Sequence, residues 1–187
     1  MRVWASGLKS GSVGLLCTLC LTLAAVRPLA AATYEEDAVK AAFLYRFAAY
    51  VEWPQRDATD APFTIAVLGS DGVATQLERL LPGLKIQNRS AQVRRLGALT
   101  DLNDAQILYV AQGQSVSARV LAEKSASHPI LIVTDEARGL SDGGTINFIH
   151  VGRNLRFEIS LTAAERGGLK IDSGLLAVAT RVERNGS

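Results

Sequence analysis

Cysteine is almost missing from this 187-residue chain: the only two, Cys17 and Cys20, sit near its beginning. Beyond residue 20 there is no thiol, so disulfides, thiolate nucleophiles and cysteine-held metals are excluded from everything that follows. Histidine is as scarce. His128 and His150 are the only imidazoles, no H-E-x-x-H motif occurs and the acids are scattered, so neither a metal nor a cofactor is expected. Asp135, Glu136, Ser141 and Asp142 lack the spacing of an EF-hand loop, which removes calcium as well. Long apolar runs are also missing. Val13 to Val26 falls short of the roughly 20 residues a spanning helix needs, and no later stretch is both that long and uncharged.

That run does match the core of a secretory signal peptide. Arg2 and Lys9 precede it, and the small residues Ala30-Ala31-Ala32 follow it. Residues 1–32 are expected to be cleaved on export. Leu16 and Leu19 stand before the two cysteines where a lipoprotein site wants a small residue, so no lipid anchor is expected. The basic excess leaves with the leader: taking Arg2, Lys9 and Arg27 from 20 basic residues leaves 17 against 18 acids. A near-neutral protein gives no reason to propose nucleic acid or an anionic membrane as its partner. Removing 32 of the 187 residues leaves 155, one typical domain, and no internal repeat or linker-like run divides 33–187 further.

Thr33-Tyr34-Glu35-Glu36 fits a capping box, and Val39, Phe43, Phe47 and Val51 recur at four-residue spacing, so a covered amphipathic helix is predicted up to about Val51, with Pro54 beyond it. Phe63 to Leu68 reads as a buried strand closed by Gly69-Ser70-Asp71-Gly72, with Asp71 as the cap of a helix over Val73 to Leu81. Short strands are predicted near Leu84-Lys85-Ile86 and over Gln92 to Arg95, then a strand over Gln106 to Val110, a helix over Ser115 to Ser125 and a strand over Pro129 to Val133. Thr145 to Val151 and Leu155 to Leu161 are β-rich and separated by Gly152-Arg153-Asn154, which suits an antiparallel hairpin. A short helix over Thr162 to Arg166 stops at Gly167-Gly168, and Ser173 is read as the cap of a last helix. The predicted fold is α/β and three-layered, a mixed, largely parallel sheet with helices on both faces and a C-terminal antiparallel hairpin.

One stretch fits a catalytic motif on paper. Gly139-Leu140-Ser141-Asp142-Gly143 matches G-x-S-x-G, but a nucleophile elbow needs a strand directly before its Ser and a helix directly after, and here a strand follows. Gly69 to Gly72 has neither dinucleotide nor P-loop spacing. Glu158, in Arg156-Phe157-Glu158-Ile159, is the acid best placed inside a sheet, and a cross-strand Arg is its expected partner. No catalytic residue is singled out.

Four stretches taken together resemble the YfiR family of periplasmic proteins, the DUF4154 domain. They are Val39 to Phe47 running into Val51-Glu52-Trp53-Pro54, then Phe63 to Gly69, then Gly143 to Phe148, and last Arg156 to Ile159 followed by Arg166 to Ser173 and Leu175-Leu176. The resemblance implies a periplasmic, non-enzymatic regulator. Its best-known member binds the periplasmic sensory region of an inner-membrane diguanylate cyclase and represses it, lowering cyclic-di-GMP and biofilm formation. The resemblance further implies a homodimer, an outer-membrane lipoprotein as an additional partner, and in other members a sensor kinase as the target. The characterised repressor carries cysteine pairs in its folded part, which this chain lacks, so redox control is not carried over.

A protein interface needs aromatic anchors. Phe47, Tyr50 and Trp53 are the candidates here, because they lie where the chain leaves the first helix; the competing reading makes Phe47 and Tyr50 core and Trp53 the seal of its edge. Gly143, Gly144, Asn147, Phe157, Glu158 and Leu169 match the family pattern and are read as structural. A small-molecule-binding accessory module for a membrane receptor is the alternative function, since open α/β sheets place pockets at their strand ends.

Overall fold

In the computed structural model, which describes residues 29–54, 61–99, 102, 104–114 and 116–184, the first element is the helix α1 (Leu29–Tyr50). Most of the expected leader, residues 1–28, lies outside the described residues. The helix begins at Leu29, so Thr33 is inside it instead of capping it. Its buried row is Ala41, Leu44, Phe47 and Ala48, whereas Val39 is exposed and Phe43 only partly covered. A four-residue step overshoots one 3.6-residue turn by about 40°. A row spaced by four therefore winds off the core face.

The remaining elements are β1 (Val51–Glu52), β2 (Phe63–Leu68), α2 (Asp71–Leu80), β3 (Lys85–Ile86), β4 (Arg89–Leu96), β5 (Ala105–Val110), α3 (Ala118–Ser127), β6 (Leu131–Thr134), β7 (Ile146–Val151), β8 (Asn154–Ser160), α4 (Leu161–Arg166), β9 (Lys170–Ile171), α5 (Ser173–Val178) and β10 (Arg181–Glu183). Two capping expectations need correction. Ser70, in extended geometry, caps α2 by accepting from the Val73 N–H at 3.1 Å, and Asp71 is the first helical residue. Asp172 caps α5 by accepting from the Gly174 N–H at 2.7 Å, displacing Ser173 into the helix. The third helix also starts later than predicted, after the cap Ser117.

Eight strands form the main sheet in the order β10-β8-β7-β6-β5-β2-β4-β3. Strands β4, β2, β5, β6 and β7 are mutually parallel, and β7 and β8 form the expected antiparallel hairpin across Gly152-Arg153. Side-chain alternation divides the core. Phe63, Ile65, Val67, Ile107, Tyr109, Leu131 and Val133 join α1 and α2 on one face, while Ala66, Leu68, Leu108, Val110 and Ile132 join Leu121 of α3 on the other. Strands β1, β9 and β10, of two or three residues, were not predicted.

Candidate functional site

The corner where α1 ends is built by a second, two-stranded sheet. β1 pairs antiparallel with β9, Val51 opposite Ile171 and Glu52 opposite Lys170, and the Asp172 N–H donates to the Tyr50 carbonyl at 2.9 Å. The C-terminus of α1 is thereby fastened to the start of α5. Phe47 is wholly buried, stacked on Phe43 at 5.8 Å and edge-on to Phe157 at 5.1 Å. Trp53 is half-buried, donates from Nε1 to the Gln106 carbonyl at 3.2 Å and meets Phe63 edge-on at 5.3 Å. Tyr50 leaves 41% of its surface in solvent, and α5 also exposes Val178. Leu169 is buried, and Gly168 before it adopts a φ of 69°, which favours glycine; a Cβ there would lie 3.4 Å from Pro54 Cγ.

On the sheet face opposite α1, four polar residues stand in register across four neighbouring strands. Thr134 lies opposite Asn147, Asn147 opposite Glu158, and Glu158 opposite Arg181. Thr134 Oγ1 donates to Asn147 Oδ1 at 2.8 Å, and Asn147 Nδ2 donates to Glu158 Oε1 at 3.1 Å. Arg181 closes the row with two donors on Glu158 Oε2, at 3.0 and 2.6 Å. Asn147, with no exposed surface, also holds the backbone of Glu136 through both its N–H and its carbonyl. Every buried group of the row has a partner, which is what keeps such a network from destabilising the fold.

The glycines beside this row are needed for space. A Cβ on Gly144 would lie 2.7 Å from Thr134 Oγ1, and one on Gly139 would lie 2.0 Å from Asn147 Oδ1. Gly143 adopts a φ of 100°, accessible to glycine with little strain. Gly139 to Gly143 fall in consecutive turns between β6 and β7, so Ser141 has neither a strand directly before it nor a helix directly after.

A charged cluster secures the front half of α1. Lys40 Nζ sits 2.6 Å from both Glu36 Oε1 and Asp135 Oδ2, and the Tyr109 hydroxyl donates to Asp135 at 3.4 Å. Burial would lower the Lys40 ammonium, but hydrogen bonds and charge from Asp135 and Glu36 outweigh it and raise the group. Burial pushes the Tyr109 phenol far above its ordinary value, with Asp135 adding to it. Asp37 is raised by burial, with Lys40 opposing. His150 Nε2 lies 3.4 Å from Glu36 Oε2. Among the described residues no three His, Cys, Asp or Glu side chains converge on a metal position.

Between β2 and β5 the chain reverses its direction of progress along the sheet, and a cleft opens at the strand ends there, as open α/β sheets favour. One part of it, about 330 Å³, is lined by Gly69, Ser70, Asp71, Arg95, Gly97 and Gln114. Arg95 is already engaged by Asp71, Thr75 and Glu78.

The family model described as DUF4154, YfiR/HmsC-like, matches residues 37–180. The chain belongs to the YfiR/HmsC-like family. No curated protein matches it closely enough to be counted as a relative. The matched YfiR/HmsC-like region contains the whole aromatic corner and all of the polar row except Arg181, which follows it by one residue. This family is one of regulators, not enzymes, and points to cyclic-di-GMP signalling in the periplasm. Among the described residues no helix is long and apolar enough to cross a membrane.

The sequence singled out Phe47, Tyr50 and Trp53 together, and the structure separates their surroundings: Phe47 in the core, Trp53 half-buried against the starts of β2 and β5, Tyr50 on the surface. Thr134, Arg181 and Lys40 were not singled out, and Asp135 and Glu136 were weighed only as part of a calcium loop. Lys40 had one local signal, a cation within the apolar stretch of a covered helix.

Proposed function

We propose that this protein is a periplasmic repressor that binds the periplasmic region of an inner-membrane diguanylate cyclase and lowers cyclic-di-GMP and biofilm formation. Membership of the YfiR/HmsC-like family over residues 37–180 carries this reading. A repressor works by binding the inactive arrangement of its target more tightly, and a few kcal/mol of preference shift the population. The corner of Tyr50 and Trp53 supplies the anchor: a half-exposed aromatic ring on a backbone fixed by β1 and β9 loses little freedom on binding. In this reading residues 1–32 are the cleaved leader, the working form is a homodimer, an outer-membrane lipoprotein is a further partner, and thiol chemistry has no part.

The test is a pull-down of the mature protein against the periplasmic region of a diguanylate cyclase or sensor kinase encoded beside it. Saturable binding, weakened by Tyr50→Ala in a variant that melts normally, supports repression through this corner. Unchanged cyclic-di-GMP in a deletion strain counts against it. The cleft at the β2–β5 crossover favours a second reading, an accessory module gated by a small ligand, and a rise in melting temperature with a periplasmic solute would favour that one.

A further inference from the structure

Along most of its outer side β4 has no partner strand among the described residues. From Ala91 to Leu96 its inner side pairs with β2, but on its outer side β3 covers only Arg89 and Ser90, and beyond them no strand pairs with it among the described residues. Such an edge exposes backbone donors and acceptors that another extended chain can complete. Proteins usually blunt these edges with proline, charged side chains or a bulge. β4 has no proline in Arg89-Ser90-Ala91-Gln92-Val93-Arg94-Arg95-Leu96 and its register with β2 is unbroken, so its three arginines are what guards the edge. The opposite edge of the sheet, β10, is only three residues long.

The side chains of this edge indicate what fits it. Ala91 and Val93 pack on the main core but remain only partly covered, so an added strand with apolar residues on that face would finish burying them. The strand carries three arginines and no acid. Arg95 is neutralised by Asp71 and Glu78. Arg94 is not comparably served. It points to the opposite face, its one ion pair is a 3.7 Å contact with the largely exposed Asp104 carboxylate, and its enclosed Nη1 has no hydrogen-bond partner.

We infer that the open side of β4 is a docking edge for an extended segment of a partner protein whose side chains alternate apolar and acidic residues, with an acid beside Arg94. The inference deepens the partner-binding reading and rests on it. A second copy of the same edge is the poorer occupant, because it would set one arginine-bearing strand against another with no acid on either.

The peptide titration uses no cyclase, so its failure is separate from failure of the pull-down. The probe is a capped seven-residue peptide of alternating valine and glutamate, titrated into the isotopically labelled protein while backbone amide shifts are followed; a valine–lysine peptide is the control. Shifts concentrated on residues 91–96, weaker by at least about fivefold in apparent affinity for the lysine peptide and for a folded Arg94→Glu variant, are the expected result. Absence of shifts on β4, or equal response to both peptides, overturns the inference. So does concentration-dependent shifting of the same amides without peptide, which would assign the edge to a second copy. Binding of a cyclase region with no change at residues 91–96 removes this edge while leaving the proposed function standing.

Discussion

At the scale of single residues, burial separates side chains that look alike in sequence. Phe47 and Tyr50 are both aromatic and three positions apart, yet one has no exposed surface and the other 41%. Phe47→Ala removes a ring from a cluster of four phenylalanines and is expected to cost about 3–4 kcal/mol in a denaturant titration. Tyr50→Ala should change stability by less than about 1 kcal/mol while weakening partner binding, which the two assays together can separate. Asp37 behaves in the opposite sense from most carboxylates. Its folded pKa is raised, so the charged form opposes folding at neutral pH, and the opposition fades as pH falls through that raised value toward 3.8. The isosteric Asp37→Asn should melt higher than wild type at pH 7, by less than about 1 kcal/mol after solvent screening, and show no advantage near pH 3. A variant that melts lower at pH 7 would mean that Asp37 makes a favourable contact as an anion.

Among the elements, the polar row holds β6, β7, β8 and β10 in register. Gly139→Ala would drive a methyl group into Asn147 Oδ1 and Thr134 Oγ1, both buried, leaving polar atoms without partners. The expected loss is about 2–4 kcal/mol, read from thermal or chemical unfolding. Amides of β10 should lose protection from hydrogen exchange first, because β10 is a three-residue edge strand whose side-chain tie to β8 runs from Arg181 to Glu158. Loss of stability with β10 still protected would place the row's effect elsewhere. Elements with a strong local period, such as Phe63 to Leu68 and the hairpin across Gly152-Arg153, were legible in the sequence because alternation and turn chemistry are local. Cap positions were missed by one residue at Ser70 and Asp172, since Ser70-Asp71 and Asp172-Ser173 each offer two adjacent residues able to cap, and backbone geometry chooses between them.

For the whole molecule, the side-chain bond from Lys40 to Asp135 joins residues 95 positions apart. It ties α1 to the residue that follows β6. Lys40→Met would leave Asp135 and Glu36 close together without their cation, and is expected to cost about 3 kcal/mol at pH 7. The raised Lys40 pKa makes its contribution complete below about 10.5, the ordinary lysine value, and lost as pH rises through the higher folded one, so the gap between wild type and variant should close in strong alkali. A gap unchanged there would show that packing of the lysine stem, not its charge, is what matters.

The sequence by itself determined the absence of thiols beyond residue 20, the near-neutral balance after the expected leader, the alternation that sorts two core faces, and the ordered stretches that mark the YfiR/HmsC-like family. These are readable because each depends on composition or on residues a few positions apart. Only the tertiary structure decided that Thr134, Asn147, Glu158 and Arg181 share one row, that Tyr50 and not Phe47 faces solvent, and that β4 has an open side among the described residues. Strand order and register set those meetings, and they arise from the closing of long loops and the joint burial of distant faces, which no local pattern contains.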